Sequence, residues 1–311
     1  MPRPATRGAT ALPPDTDSQR RARTGLVFAV LGAVAFSGKA IIVKLAYRHG
    51  VDAVTLIMLR MLFALPLFVA LAWWAGRGQA RLAPRDLKLV ALLGFSGYYL
   101  ASMLDFLGLQ YVSANLERLI LYLTPTIVLL LSLLLFKRRV SRMQVAALLV
   151  SYSGVALVFG HEHGAQGGHV VWGAALILAS TLSYALYLIY SGEHVRRLGA
   201  LRLTGWASSV ACVLCIVQFL LLRPLGAALD LNAAVWWLSL LNGTLCTVAP
   251  VLLVMMGIER IGAPAAAQAG MVGPLSTIAL SALLLGEPFT PWLAAGTALV
   301  LAGVMLLARV R

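Results

Sequence analysis

The sequence predicts an all-α membrane protein of ten transmembrane helices, arranged as two inverted five-helix repeats. Three observations predict it: apolar runs of bilayer-spanning length follow one another along the chain, residues 108–159 match 257–308 without a gap, and basic loop residues keep to one side of the membrane. Of the 311 residues, 60 % are apolar and 12 % charged, about half the charged fraction of a soluble domain. A hydrocarbon core takes about 20 apolar residues per helix, and such runs occupy nearly all of residues 25 to 308.

The chain opens with residues 1–24, rich in Pro, Arg and Thr. This stretch lacks the apolar core of a secretory signal, and Asp15, Asp17 and its prolines count against an amphipathic presequence. It is expected to be a disordered cytoplasmic tail. Runs at 25–46, 53–75, 87–110, 113–136 and 142–160 form a first unit, residues 25–160. Runs at 170–191, 201–222, 234–257, 262–285 and 291–308 form a second, residues 170–308. Only short polar turns separate neighbouring runs, which predicts one bundle.

With the N-terminus placed inside, the inner side carries Arg3, Arg7, Arg20, Arg21, Arg23, Arg77, Arg81, Arg85, Lys88, Lys137, Arg138, Arg139, Arg142, Arg196, Arg197, Arg202, Arg260, Arg309 and Arg311. The outer loops keep Arg48 and Arg223, with Lys44 at a helix end. This bias predicts both termini on the cytoplasmic side of a cell (inner) membrane. It also accounts for the net charge of +14 without nucleic acid as a partner, because the basic residues flank apolar runs instead of sharing one soluble face.

Residues 108–159 match 257–308 at a constant offset, with Gly108, Pro125 and Gly154 falling on Gly257, Pro274 and Gly303. A unit of five helices inserts its second copy upside down. The loop charges agree: Lys137, Arg138, Arg139 and Arg142 align with Gly286, Glu287, Pro288 and Pro291, so charge follows the membrane side and not the repeat. Inverted halves packed about a midplane site are a recurring device of secondary transporters, which predicts a small-molecule cargo. Pro125 and Pro274 each release backbone carbonyls within a helix. Either they mark the cargo path or they are packing kinks.

The ionisable residues inside the runs are Lys39, Arg60, Asp105, Glu117 and Arg118, all in the first repeat. A lone charge at the bilayer centre costs at least about 2.5 kcal/mol, so such groups turn inward and pair. Arg60 with Asp105 or Glu117, and Lys39 with whichever carboxylate remains, are the expected pairs. They would serve as a gate or proton site near the outer mouth, or as static ion pairs that fix helix register. A poorly paired carboxyl in a dry site would take up a proton, making the proton the candidate coupling ion. Tyr98, Ser102 and Asp105 share one helix face, Ser180, Tyr184, Tyr187 and Ser191 another, and Arg118, Tyr122 and Pro125 a third. These stripes suit either a cargo with polar and apolar parts or interhelical hydrogen bonding. Gln268 and Asn242 are the strong polar candidates of the second repeat, with Gln218 beside them.

Cys212 and Cys215 form a C-x-x-C pair in an apolar run and are expected to be buried packing residues. His161, Glu162, His163 and His169 are expected in a floppy outer loop whose spacing does not suit a metal. No cofactor and no metal are expected.

The string Gly108, Leu109, Gln110, Tyr111, Val112, Ser113, Ala114, with Pro125, Gly154 and Val155, resembles the repeat signature of the EamA family in the drug/metabolite transporter superfamily. Gly257, Ile258, Glu259, Arg260, Ile261, Gly262, Ala263, with Pro274, Gly286, Glu287, Gly303 and Val304, is closer still, and Arg60 matches a frequent family position. The resemblance covers residues 25–308. It implies ten helices around a central cavity lined mainly by the first, third, fourth, sixth, eighth and ninth. It also implies alternating access and, commonly, export of amino acids or other small metabolites. Lys137 and Arg138 depart from the Gly-Glu seen at 286 and 287, while Asp105, Glu117 and Arg118 are not general family features.

Two other readings compete. An uptake carrier or exchanger for anionic or phosphorylated metabolites would turn Lys39 and Arg60 toward the cavity. An intramembrane serine enzyme would use Gly94, Phe95, Ser96 and Gly97, but every histidine lies at or beyond a run boundary, leaving no base for it. The chain is therefore not expected to be an enzyme.

Overall fold

The computed structural model describes residues 16–80, 82–136 and 141–309, and they are helical without strands. Residues 1–15, most of the expected tail, and Lys137, Arg138 and Arg139 lie outside the described residues. The elements are α1 (Thr16–Tyr47), α2 (Ala53–Gly76), α3 (Pro84–Gly94), α4 (Ala101–Gly108), α5 (Ala114–Leu121), α6 (Thr124–Phe136) and α7 (Arg142–Gln166). After them come α8 (His169–Leu198), α9 (Ala200–Leu222), the short α10 (Gly226–Leu229), α11 (Ala233–Gly243), α12 (Ala249–Ala269), α13 (Val272–Leu280) and α14 (Pro291–Ala308). Single π-helical turns at Phe95–Leu100 and Thr244–Val248 join α3 to α4 and α11 to α12, and a third, Ser281–Leu285, ends α13.

Capping residues set the helix starts. Asp52 accepts from the amides of Val54 (3.0 Å) and Thr55 (3.3 Å), Ser113 from Leu116 (3.0 Å) and Thr290 from Leu293 (3.2 Å), meeting first-turn N–H groups that have no partner within the helix. Leu134, Leu221, Leu283, Trp73 and Trp237 are among many large apolar side chains left exposed. Among the described residues, nine helices are long and apolar enough to cross a membrane, and their outward apolar faces are the expected lipid contact.

Three expectations are revised. Helix α1 begins at Thr16, so residues 16–24 of the expected tail are helical, consistent with a run of Gln and Arg that favours helix. His161, Glu162 and His163 belong to α7, and only Gly167 and Gly168 separate it from α8. The expected span 262–285 is not one rod. Gly262, at φ +80°, breaks the path where other residues would be strained, a turn follows at Gly270 and Met271, and the remaining apolar helix is Val272–Leu285. Its counterpart breaks at Tyr122 and Leu123, one residue off the repeat register.

Helix pairing crosses between the halves. α1 packs on α11 and α12, while α4 and the π turn before it pack on α8; α13 packs on α1, while α5 and α6 pack on α8. α2 pairs with α9, and α7 with α14. Exchanging each helix for its repeat equivalent maps this set of contacts onto itself.

Candidate functional site

Between α1, α4 and α5 the ammonium of Lys39 lies 2.5 Å from Asp105 Oδ2 and 2.9 Å from Glu117 Oε1. All three side chains are buried, Glu117 fully. The Lys39–Asp105 contact is a hydrogen bond, whereas the one to Glu117 is an ion pair by distance. Asp105 Oδ1 and Glu117 Oε2 find no hydrogen-bond donor among the described residues. One cation thus faces two anions, with acceptor capacity left over in a dry site. Buried polar groups are nearly always satisfied, so carboxylate oxygens without a donor set this cluster apart from the other polar contacts of the bundle.

Neither arginine joins a carboxylate, contrary to the expected pairing of Arg60 with Asp105 or Glu117. Arg60 Nε donates to Thr247 Oγ1 at 2.9 Å, with the guanidinium 5.1 Å from the Phe106 ring centre. Arg118 Nε donates to Thr277 Oγ1 at 2.9 Å and its Nη2 to the Phe36 carbonyl at 2.9 Å, over the Phe36 ring. A hydroxyl and an aromatic face occupy each guanidinium group, with a carbonyl as well at Arg118, and Lys39 takes both carboxylates. Arg60 Nη1 is buried without an acceptor among the described residues. Thr247 sits in the second π turn and donates to the Asn242 carbonyl at 2.7 Å, so Arg60 is linked through it to α11.

The broken helices meet next to this cluster. Pro274 cannot donate to the carbonyl four residues back, Gly270, which accepts from the Gly273 amide at 2.9 Å and from Tyr122 Oη at 2.6 Å. The corresponding carbonyl for Pro125, Leu121, accepts from Thr124 Oγ1 at 2.5 Å. A β-carbon on Gly273 would lie 2.5 Å from Tyr122 Oη. The glycine therefore admits the tyrosine, and Ser37 Oγ holds its carbonyl at 2.9 Å.

The other sequence candidates lie apart. Tyr98 and Tyr187 share a hydroxyl contact of 3.1 Å, and Tyr184 stacks on Tyr187 with ring centres 5.5 Å apart. Ser180 and Ser183 donate to the carbonyls of Ala101 (2.6 Å) and Ser96 (2.8 Å), tying α8 to the first π turn and α4. Ser102 is half-buried on the helix that carries Asp105, Pro125 is exposed, Pro274 is buried, and Gln268 is exposed on α12.

Polar ties join the halves at both ends of the bundle. At the predicted outer end, Glu287 accepts from the Ala114 amide (3.0 Å) and from Asn115 Nδ2 (2.9 Å). Arg48 donates to the Leu285 carbonyl at 2.5 Å and Ser281 to Asn115 Oδ1 at 3.0 Å. Glu162, read from the sequence as a loop residue, accepts from the Ser113 amide at 3.2 Å, so two carboxylates cap the positive end of α5. Arg223 Nε lies 3.3 Å from Asp52 Oδ1. Burial, the largest influence on the Asp52 carboxyl, opposes its ionisation, but hydrogen bonds from the Thr55 side chain and amide and the Arg223 charge outweigh it and hold the pKa below the usual range. At the predicted cytoplasmic end, Arg202 donates to Gln79 Oε1 (3.0 Å) and the Ala80 carbonyl (2.8 Å), and Arg197 pairs with Asp86.

Sequence reasoning found Lys39, Asp105, Glu117 and both arginines, but not Thr247, Thr277, Asn115 or Phe36. Threonine and phenylalanine are ordinary in apolar helices. Only the register match of residues 108–159 to 257–308 could have placed Thr277 in the apolar run, 262–285, equivalent to the one bearing Arg118, 113–136.

Comparison with known proteins agrees with this architecture. The model of the EamA-like transporter family matches residues 23–160 and again 171–309. A relative described as the uncharacterized transporter YcbK of Bacillus subtilis (strain 168) is 31 % identical over 273 residues, 86 % of this chain and 87 % of its own. The uncharacterized inner membrane transporter YicL of Salmonella typhimurium (strain LT2) is 26 % identical over 299 residues, 92 % of this chain and 95 % of its own. One solved structure matches at TM-score 0.62 and 18 % identity, covering 92 % of this chain and 98 % of that one, a likeness of fold.

Proposed function

We propose that this chain, which belongs to the EamA-like transporter family, is a secondary transporter that exports a small organic metabolite, an amino acid or a compound of similar size, by alternating access. The observation that carries the reading is the buried Lys39 held between Asp105 and Glu117, with two carboxylate oxygens left free. In this reading the surplus acceptors hold the coupling proton. Arg60, Arg118 and Tyr122 border the cargo path, and the interrupted helices at Pro125 and Pro274 line it. Ser102, Tyr98, Tyr184, Tyr187 and Gln268 complete the proposed path toward the two ends.

Ten spans in two inverted repeats, with both termini in the cytoplasm of an inner-membrane protein, are part of the proposal. The self-consistent exchange of helix pairs supports the repeats, with the broken Val272–Leu285 region counted as part of the ninth span. Ties at both ends support alternation, since opening either mouth requires releasing one set while keeping the other. A second reading, uptake or exchange of an anionic metabolite, is favoured by the unpartnered Arg60 Nη1.

Reconstitution into proteoliposomes tests this. Amino acids, other metabolites and phosphorylated compounds are offered under two pH gradients. The expected result is movement of one class, accelerated by a gradient, with Asp105→Asn or Glu117→Gln losing the pH dependence while keeping cargo exchange. Unchanged pH dependence in both variants removes the proton site, and a failure to move any compound removes the carrier reading.

A further inference from the structure

The predicted cytoplasmic end carries a cleft of about 640 Å³, lined by Gln79, Ala80, Leu82, Asp86, Arg197, Leu198, Gly199 and Arg202. Its walls come from the link between α2 and α3 on one side and from the junction of α8 and α9 on the other, so it opens where the halves meet. Two arginines against one aspartate leave its wall with a net positive charge.

Three independent features of the wall suit an anion. Arg202 lines the cleft, is more than nine-tenths buried and holds its guanidinium fixed through Gln79 and Ala80, while its Nε–H, buried on the Gly76 side, has no acceptor among the described residues. Helix α9 starts in the same wall at Gly199, with no side chain capping it, so the first-turn amides of a 23-residue helix face the cleft end unfilled. Arg197 is more than half exposed and, among the described residues, paired with Asp86 alone, which makes it a cation that can turn to a ligand. Depth in the bilayer narrows the class of anion further. Trp73 and Trp74, one turn before the cleft on α2, are exposed, and Arg77 lies 3.9 Å over the Trp73 ring, an arrangement suited to the headgroup region.

We infer that this cleft is a binding site for a phosphate group, supplied by the headgroup of an anionic phospholipid of the inner leaflet or by a soluble phosphate ester. Arg202 and the α9 amides hold the phosphate oxygens, and Arg197 closes over it by exchanging Asp86 for the ligand. Basic pockets between helices at this level take anionic headgroups by the same electrostatics. The site stands apart from the Lys39 cluster and does not depend on the nature of the cargo.

The test uses the purified full chain in detergent. Retention of added phosphatidylglycerol and of phosphatidylcholine is measured by native mass spectrometry, and inorganic phosphate and glycerol phosphate are titrated while thermal unfolding is followed. Phosphatidylglycerol should be retained in preference to phosphatidylcholine, or, if the source is soluble, the phosphate compounds should raise the unfolding temperature. Arg197→Gln should weaken the effect about fivefold, from the worth of one cation near the surface. Asp86→Asn, which keeps the Ala83 cap and removes the competing charge, should strengthen it. The two variants thus move binding in opposite directions, which a general loss of folding does not do. Equal retention of both lipids together with no response to phosphate overturns the site, as does an indifference of binding to both substitutions.

Discussion

The hydroxyl of Tyr122, at the break of one helix, donates a 2.6 Å hydrogen bond to the carbonyl of Gly270, at the break of its repeat equivalent. A side chain of one half thus joins the Gly273 amide in satisfying the carbonyl at the break in the other. Tyr122→Phe should remove one of the two donors to that carbonyl, leaving the Gly273 amide at 2.9 Å, and cost about 0.5–1.5 kcal/mol. Gly273→Ala should cost a similar amount by pushing against the same hydroxyl. Because phenylalanine removes the obstructing oxygen, the double variant should be less destabilised than the sum of the two. Unfolding of all four proteins in detergent measures this, and strict additivity would show that the two residues do not oppose each other.

Lys39 compensates two carboxylates at once. Lys39→Met should destabilise the protein by about 3–5 kcal/mol, the usual result of stranding buried charge. Adding Asp105→Asn and Glu117→Gln to Lys39→Met should recover much of the loss. Thermal unfolding of the single and triple variants decides it; a Lys39→Met protein as stable as the parent at neutral pH would mean that the carboxylates are not both ionised.

Glu287 reaches from the second half to the start of α5. Glu287→Ala removes the acceptor for the Ala114 amide and for Asn115, and should cost roughly 1–2 kcal/mol as a lost helix cap. Glu287→Gln, which keeps an acceptor but drops the charge, should fall between. Identical stability of all three would place the bond outside the folded-state energetics.

Asp52 caps α2 and meets Arg223, and its carboxyl titrates below the ordinary aspartate range. A depressed folded-state pKa contributes stability above the unfolded value and loses it as pH falls through the folded one. Asp52→Asn should therefore flatten the acid limb of the stability profile, and Arg223→Ala should shift that limb to higher pH. Melting temperatures from neutral to acidic pH give the comparison.

Much of the fold was legible because a bilayer imposes one strong requirement, a long apolar run, on each span. Residues 53–75 became α2 at Ala53–Gly76 almost unchanged. The span at 262–285 did not survive as one rod, since hydropathy averages over a positive-φ glycine and a two-residue turn. In the site, the scarcity of charge in apolar helices singled out Lys39, Asp105 and Glu117. Their pairing was not legible, because it depends on rotation and depth, and because threonines and carbonyls compete for the arginines. The helical 161–166 segment was missed for a related reason: polarity suggested a loop, but Glu162 is buried against Ser113.

The π turn at Phe95–Leu100 lies between Gly94 and the helix that carries Asp105. Such a turn holds one residue more than an α-helix needs over the same rise. Deleting one residue there would let the rod relax into regular helix, whereas a deletion in α2 would swing everything beyond it by about 100°. The chain thus has a built-in allowance for insertion and deletion close to its charged centre, in a place where a membrane helix is ordinarily least forgiving of a change in length.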